Sequence, residues 1–446
     1  MDGGGRLVVV LPALAVLWWL DPFRVRLRTS VAGAGGCLAV LCGVALAVPY
    51  DLYDDFYSAN YVSKFARSGV VGIVDLYVRG YLESDAVAAE PLAGASTSDS
   101  CNPAARPPHI VMVFDEGSFD ITAIPGIRVW PNYSEHFRSS DGKARVLLVE
   151  GAGGPSWYTE YNVLSGLSVR SFGRFADFVT RIAADRVERG LPRALRRCGY
   201  KTFSLYPFWG SFAGARQYQI TAGIEHFLDG RDIGANGIEA DSFYYDAATR
   251  LMQRERGAKP LFLFVYTAAN HHPWDYRFRP ELTPEWVETG NPFEVDEYLR
   301  RQSMSVHDYG QFVARLKQDF PNDPILIVRF GDHQPSFAKN LVDPTLDDAV
   351  LARRLAEADP RFVSTYYAIE SINFRPAELS SALDTLDAPY LPLVVLEAAG
   401  LPLDASFAEQ KRILHRCNGL FYRCADGAEA RRFNRLLIDA GLINRL

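Results

Sequence analysis

From His109 onward, short runs of apolar, β-branched and aromatic residues alternate with segments at helical spacing. The clearest runs are HIVMVF (109–114), KTFSLY (201–206), LFLFVYT (261–267) and ILIVRF (325–330). HIVMVF, LFLFVYT and ILIVRF are near-continuous apolar runs, which predicts strands buried on both faces. Strands of that kind belong to a mostly parallel sheet with helices on both sides. Intervening segments such as GLPRALRRCGY and DYGQFVARLK supply the helices. The fold class expected is therefore α/β, a mostly parallel sheet sandwiched by helices.

The N-terminus reads differently. Residues 7–20 (LVVVLPALAVLWWL) and 31–49 (VAGAGGCLAVLCGVALAVP) carry no charge, and the second comes close to the ~20 residues that cross a bilayer. Between them lies DPFRVRLRTS, with Arg24, Arg26 and Arg28. The positive-inside rule places that loop in the cytoplasm and everything after Pro49 on the outer side. The organisation expected is a transmembrane anchor at 1–50, with spans at about 7–20 and 31–49, then a helical stalk and Ala/Ser/Pro-rich linker at 51–108. A catalytic domain comes next at 109–400, and an extension at 401–446 packs on it.

Composition adds limits. The net charge of −6, with no basic stripe, gives no reason to expect nucleic acid. Of six cysteines, Cys37 and Cys42 fall in the second span. Cys417 and Cys424 bracket a short loop and suit a disulfide, with Cys101 and Cys198 as further partners, compatible with an oxidising compartment.

The residues just past each strand carry the chemistry. HIVMVF runs into DEGSFD, LFLFVYT into AANHHPW, and ILIVRF into GDHQP. In a doubly wound sheet the ligand crevice lies outside the carboxyl ends of the strands. Glu116, His271 or His272, Asp332 and His333 would then converge on one rim. The turn EGAGGPS joins them, because its glycines and proline end at Ser156 just before a helix-like run, presenting one hydroxyl at a helix N-terminus. Two carboxylates and an imidazole make an O,O,N site for a divalent cation. A hydroxyl in the same site would have its pKa lowered and become a usable nucleophile.

Taken in order, DEGSF, the glycine turn with its hydroxyl residue, SGLS, NHHPW and FGDHQP resemble the alkaline phosphatase and sulfatase superfamily. More narrowly, they are similar to its membrane-bound phosphoglycerol and phosphoethanolamine transferases, among them lipoteichoic acid synthases and enzymes that decorate periplasmic glucans. The resemblance covers roughly residues 107–400. It implies a metal held by Glu116, Ser156, Asp332 and His333, with Ser156 as nucleophile. In the sulfatase-like pattern the nucleophile stands ten residues before the glycine of a TG or SG pair. Here that glycine is Gly166, which returns Ser156 and leaves Thr159 as the alternative. The resemblance also implies substrate contacts from Arg216 and Trp209, in FWGSFAGARQY, and from His272.

The sequence departs from the family in three places. Ser stands where the lipid-linked transferases commonly have Thr. The stretch SWYTE lacks the Pro and Arg pattern of true sulfatases, and Gly214 replaces an aromatic found in some members. The function expected is transfer of phosphoglycerol, or phosphoethanolamine, from a membrane phospholipid to a hydroxyl of an envelope polysaccharide or glucan. The route runs through a phosphoserine intermediate, with His271 as acid and base. The cofactor expected is one divalent ion, manganese first and zinc or magnesium otherwise. The place is the inner membrane, with the catalytic domain on the periplasmic side. Two alternatives are a metal-dependent phosphodiesterase, phosphonate or sulfate ester hydrolase with the same site, and a non-catalytic binding protein, which would show a broken ligand set.

Overall fold

The computed structural model describes residues 12, 16, 19, 26–47, 72–84, 92, 101 and 106–444. The first proposed span, 7–20, lies outside them apart from three positions, as does most of the stalk and linker. Leu27–Ala47 is a single helix of 21 residues. At 1.5 Å per residue it is about 31 Å long, and its mean hydropathy makes it long and apolar enough to cross a bilayer. It begins four residues before the expected span, because nothing in Leu27–Ser30 breaks a helix. Cys37 and Cys42 lie in it as free thiols.

The sheet has eight strands in the order β4-β3-β5-β1-β6-β7-β2-β8. They are β1 His109–Asp115, β2 Val146–Leu148, β3 Lys201–Leu205, β4 His226–Leu228, β5 Leu261–Tyr266, β6 Ile325–Gly331, β7 Ser364–Ile372 and β8 Thr385–Asp387. Neighbouring pairs are parallel except those made by β7, which runs against both β6 and β2. The four apolar runs of the sequence are β1, β3, β5 and β6, adjacent at the centre. The short β2, β4 and β8 carry too few apolar residues to stand out in the sequence.

Period-two alternation explains the packing. Ile110, Met112 and Phe114 of β1 join Phe262, Phe264, Leu326 and Val328 in one buried cluster. Val111, Val113, Leu263, Val265 and Ile327 face the other way, against helices Asp241–Glu255 and Phe293–Asp319. On the first face lie the helices Ser156–Ser165, Leu191–Arg197 and Leu391–Ala398. Helices Ala405–Arg416 and Ala428–Asp439 send Phe407, Leu414, Phe433 and Leu437 into the same cluster as Tyr161 and Leu164 of the Ser156 helix. Two disulfides, Cys101–Cys198 and Cys417–Cys424, close loops of separation 97 and 7 on this part of the chain.

Candidate active site

Because β1, β2, β3, β5 and β6 run in parallel, their carboxyl ends share one edge. β1 ends at Asp115–Glu116, and consecutive residues of an extended chain face opposite sides. Glu116 therefore turns toward the Ser156 helix, whereas Asp115 turns toward Tyr366 and His136. β6 ends at Gly331, where only glycine fits, since a Cβ would lie 1.8 Å from the Ser118 carbonyl oxygen. That close approach brings Asp332 under the DEGS loop, where Gly117 N–H donates to Asp332 Oδ1 at 2.8 Å.

The loop after β2 delivers the hydroxyl. Ser156 is the first residue of a ten-residue helix that comes after Pro155 and ends at Gly166, whose φ of 71° suits glycine. Glu150 ties the two ends of this unit together. Its carboxylate accepts from Asn162 Nδ2 at 2.7 Å, from Val169 N–H at 2.6 Å and from the Ser168 hydroxyl. The Ser156 hydroxyl donates to Glu116 Oε2 at 3.2 Å and lies 3.2 Å from His333 Nε2. His333 Nε2 is also 3.4 Å from Glu116 Oε1 and 3.2 Å from Asp332 Oδ2.

The other ring nitrogen decides the tautomer of His333. Nδ1 lies 2.9 Å from the Gln334 carbonyl oxygen, which can only accept, so Nδ1 carries the proton. Nε2 is then the nitrogen presented to the carboxylates and to Ser156, as metal-ligating histidines are held by an outer partner. His271 is fixed in the same sense, with Nδ1 donating to the His272 carbonyl at 2.8 Å.

Glu116, Asp332 and His333 are all buried, and their ligand atoms lie within 4.8 Å of one another. Burial pushes the Asp332 carboxyl up, and the neighbouring Glu116 charge adds to that. Burial works against ionising Glu116 too, but the hydrogen bond and charge of His333 outweigh it and hold Glu116 low. Burial also opposes a charge on His333, yet Asp332 and Glu116 prevail and raise it to about 9. Two carboxylates thus share one buried space with a single proton-bearing imidazole. Asp332 Oδ2 makes no formed hydrogen bond, and its close polar neighbour is His333 Nε2, 3.2 Å away. Two buried carboxylates facing one imidazole nitrogen fit a divalent cation, since one imidazole cannot satisfy both.

Thr159, the alternative hydroxyl, is fully buried and donates to the Asp332 backbone carbonyl at 2.7 Å. It holds the Asp–His pair in place instead of facing the crevice. Arg216, expected at the substrate, is engaged elsewhere. Its guanidinium pairs with Asp229 at 2.8 Å and Asp232 at 3.1 Å, and stacks over Phe227. The two aspartates arrive through the loop after β4, which the sequence did not distinguish as a strand end. Trp209 is exposed, with Arg231 over its ring. His272 is exposed and stacks on His271, which in turn packs against Phe208.

Three residues of the site escape a reading of the sequence. Tyr266, at the end of β5, donates to Glu116 Oε2 at 2.9 Å. Glu150 opens the EGAGGPS turn, but nothing along the chain points to its partners. Asn270, next to His271, is buried, and neither atom of its carboxamide has a partner.

An α/β sheet with an acid, hydroxyl and imidazole cluster at its carboxyl edge is what the resemblance to the sulfatase-like proteins implies. Comparison with known proteins agrees: a family model described as Sulfatase matches residues 157–352. The match starts one residue after Ser156 and contains Asp332 and His333, while Glu116 lies before it. A curated relative, the capsular polysaccharide biosynthesis protein RkpI of Rhizobium meliloti (strain 1021), is 29% identical over 221 residues, 46% of this chain and 38% of that protein. The matched stretch thus spans about two-fifths of the relative's length. Among solved structures, the Streptococcus pyogenes phosphoglycerol transferase GacH in complex with sn-glycerol-1-phosphate superimposes with a TM-score of 0.57. That likeness covers 77% of this chain and 87% of GacH at 14% identity, and it establishes the fold.

Proposed function

We propose that this protein transfers a phosphoglycerol group, or the related phosphoethanolamine group, from a membrane phospholipid to a hydroxyl of an envelope glycan. The observation that carries the reading is the Ser156 hydroxyl at a helix N-terminus, 3.2 Å from both Glu116 and His333. Glu116, Asp332 and His333 would hold one divalent ion beside it, manganese in our reading, with zinc and magnesium as the other fits. When bound, that ion supplies Lewis acidity that makes the serine hydroxyl easier to ionise.

The chain's own groups do the remaining work. Ser156 Oγ attacks the donor's phosphorus, the Ser–O–P bond forms, and the bond from phosphorus to the diacylglycerol oxygen breaks. The Ser156 hydroxyl proton is released to solvent, and the departing oxygen takes a proton that His271 Nε2 relays from solvent. The serine oxygen regains its proton from solvent when it is displaced. In the second step His271 receives the proton of the acceptor hydroxyl as that oxygen displaces serine. The N-terminus of the Ser156 helix favours the negative charge gathering on the phosphoryl oxygens. The apolar helix Leu27–Ala47 would keep the site at the surface that holds the lipid donor, on the outer face by the arginine rule, and so raise its effective concentration. The names of RkpI and GacH are consistent with a glycan acceptor and a glycerophosphate group.

Intact-mass and phosphopeptide mapping after incubation with phosphatidylglycerol and Mn2+ tests this, with Ser156→Ala alongside. The expected result is a glycerophosphate adduct on Ser156 that the variant lacks. Release of glycerophosphate to water without glycan transfer would make the protein a hydrolase. An adduct formed only from phosphatidylethanolamine would change the transferred group and keep the mechanism.

A further inference from the structure

Asn270 lies where β5 reaches the rim, between Ala269 and His271. Asp241 clamps the preceding backbone, accepting from Ala268 N–H at 3.2 Å and Ala269 N–H at 3.0 Å, while its other oxygen accepts from Ser305 at 2.6 Å. On its other side Asn270 packs against the loop that carries Glu116. A Cβ added to Gly117 would meet the Asn270 carbonyl oxygen at 3.1 Å and the Asn270 Cβ at 3.9 Å. Gly117 is also the residue whose N–H holds Asp332. Asn270 thus sits beside the loop that joins the two carboxylates.

Its side chain is 2 % exposed, and both Nδ2 and Oδ1 lack partners. A buried amide with nothing to bond costs free energy for each unmet group, so a rigidly backed position of this kind implies a partner that arrives from outside. A cation would satisfy Oδ1 and leave Nδ2 stranded. A phosphoryl group attached to a hydroxylated alcohol offers both an oxygen that accepts and an O–H that donates. In the loop after β3, Arg216 is paired with two aspartates.

We infer that Asn270 is a substrate-binding residue, its Nδ2–H donating to an oxygen of the transferred phosphoryl group and its Oδ1 accepting from a neighbouring hydroxyl. This rests on the phosphoryl-transfer function proposed for the same site.

The test compares wild type with Asn270→Leu, which keeps the volume and removes the polar atoms, and with Asn270→Ala. Three measurements are made on the full chain in detergent: melting in EDTA, titration with Mn2+ alone, and titration of the Mn2+-loaded protein with inorganic phosphate. If the amide is unpartnered in the free protein, Asn270→Leu melts in EDTA at or above the wild-type temperature. Mn2+ affinity should stay within about twofold, while phosphate affinity should fall about tenfold or more in both variants. A leucine variant that melts well below wild type would show that the amide has a structural partner and would overturn the inference. Unchanged phosphate affinity would overturn it too, as would a parallel loss of Mn2+ affinity, which would make Asn270 a metal ligand. All three of those results leave the metal site standing. A wild-type protein that binds neither Mn2+ nor phosphate would instead remove the proposed function beneath the inference.

Discussion

Two buried aspartates lie a residue apart on neighbouring strands. Asp115 of β1 is in register with Gly331 of β6, and Asp332 is the residue after Gly331. Their surroundings are opposite. Asp115 accepts from the Tyr366 hydroxyl at 2.6 Å and from Thr267 Oγ1 at 3.4 Å, and His136 Nε2 lies 3.9 Å away. Burial works against its charge, but those partners and the nearby Arg329 hold its carboxyl low. His136, pressed by burial and by Arg329, is pushed down to about 4 and stays neutral. Asp332 has one oxygen on Gly117 and His333 backbone N–H groups, while the other makes no formed hydrogen bond and shares the His333 imidazole, 3.2 Å away, with a second carboxylate. One aspartate is complete within the protein, and the other is complete only with something added. Burial alone therefore does not mark a functional acid; unfinished hydrogen bonding does.

The largest effect should come from exchanging each aspartate for asparagine. Asp332→Asn should reduce transfer at least a hundredfold by removing a metal ligand, yet leave unfolding in EDTA as stable as wild type or more so. Asp115→Asn should do the reverse, losing about 2 kcal/mol or more because the Tyr366 and Thr267 hydroxyls lose their charged acceptor at a buried site. Urea denaturation of both variants in EDTA decides it. Equal destabilisation would erase the contrast.

A second contrast concerns Glu160, four residues after Ser156 on the same helix. It is fully buried, and burial pushes its carboxyl up to about 8. Below the unfolded value near 4.5 both states carry the proton, and stability does not depend on this group. Between about 4.5 and 8 the unfolded chain gives up the proton that the folded chain keeps, so stability falls as pH rises, by roughly 5 kcal/mol at most. Glu160→Gln should flatten that slope, seen as a melting temperature that drops less than wild type between pH 5 and 9. Parallel curves would mean that Glu160 is solvated or paired.

The smallest effect separates the two hydroxyls of the helix. Thr159→Val should cost about 1–3 kcal/mol of stability, because it leaves the Asp332 carbonyl buried without its donor. Ser156→Ala should change stability little while abolishing the adduct. If Thr159→Val instead removes the adduct at full stability, the nucleophile is Thr159.

The sequence by itself determined the central sheet and its chemistry. The runs that became β1, β5 and β6 are near-continuous because both faces are buried, and that is a local pattern in the sequence. Glu116, Asp332 and His333 were legible because each stands just past such a run, and parallel strands put their ends on one edge. Ser156 was legible through its glycines. Only the tertiary structure decided which neighbours each side chain meets. Arg216 read as a substrate contact, and the fold adds Asp229 and Asp232 as its partners. Thr159 read as a rival nucleophile, and the fold places its hydroxyl on the Asp332 carbonyl. Glu150, Tyr266 and Asn270 carry no local signature, since their roles are set by partners distant in sequence or by the lack of any. Hydrophobic periodicity is written along the chain, whereas hydrogen-bond satisfaction is a property of the packed whole.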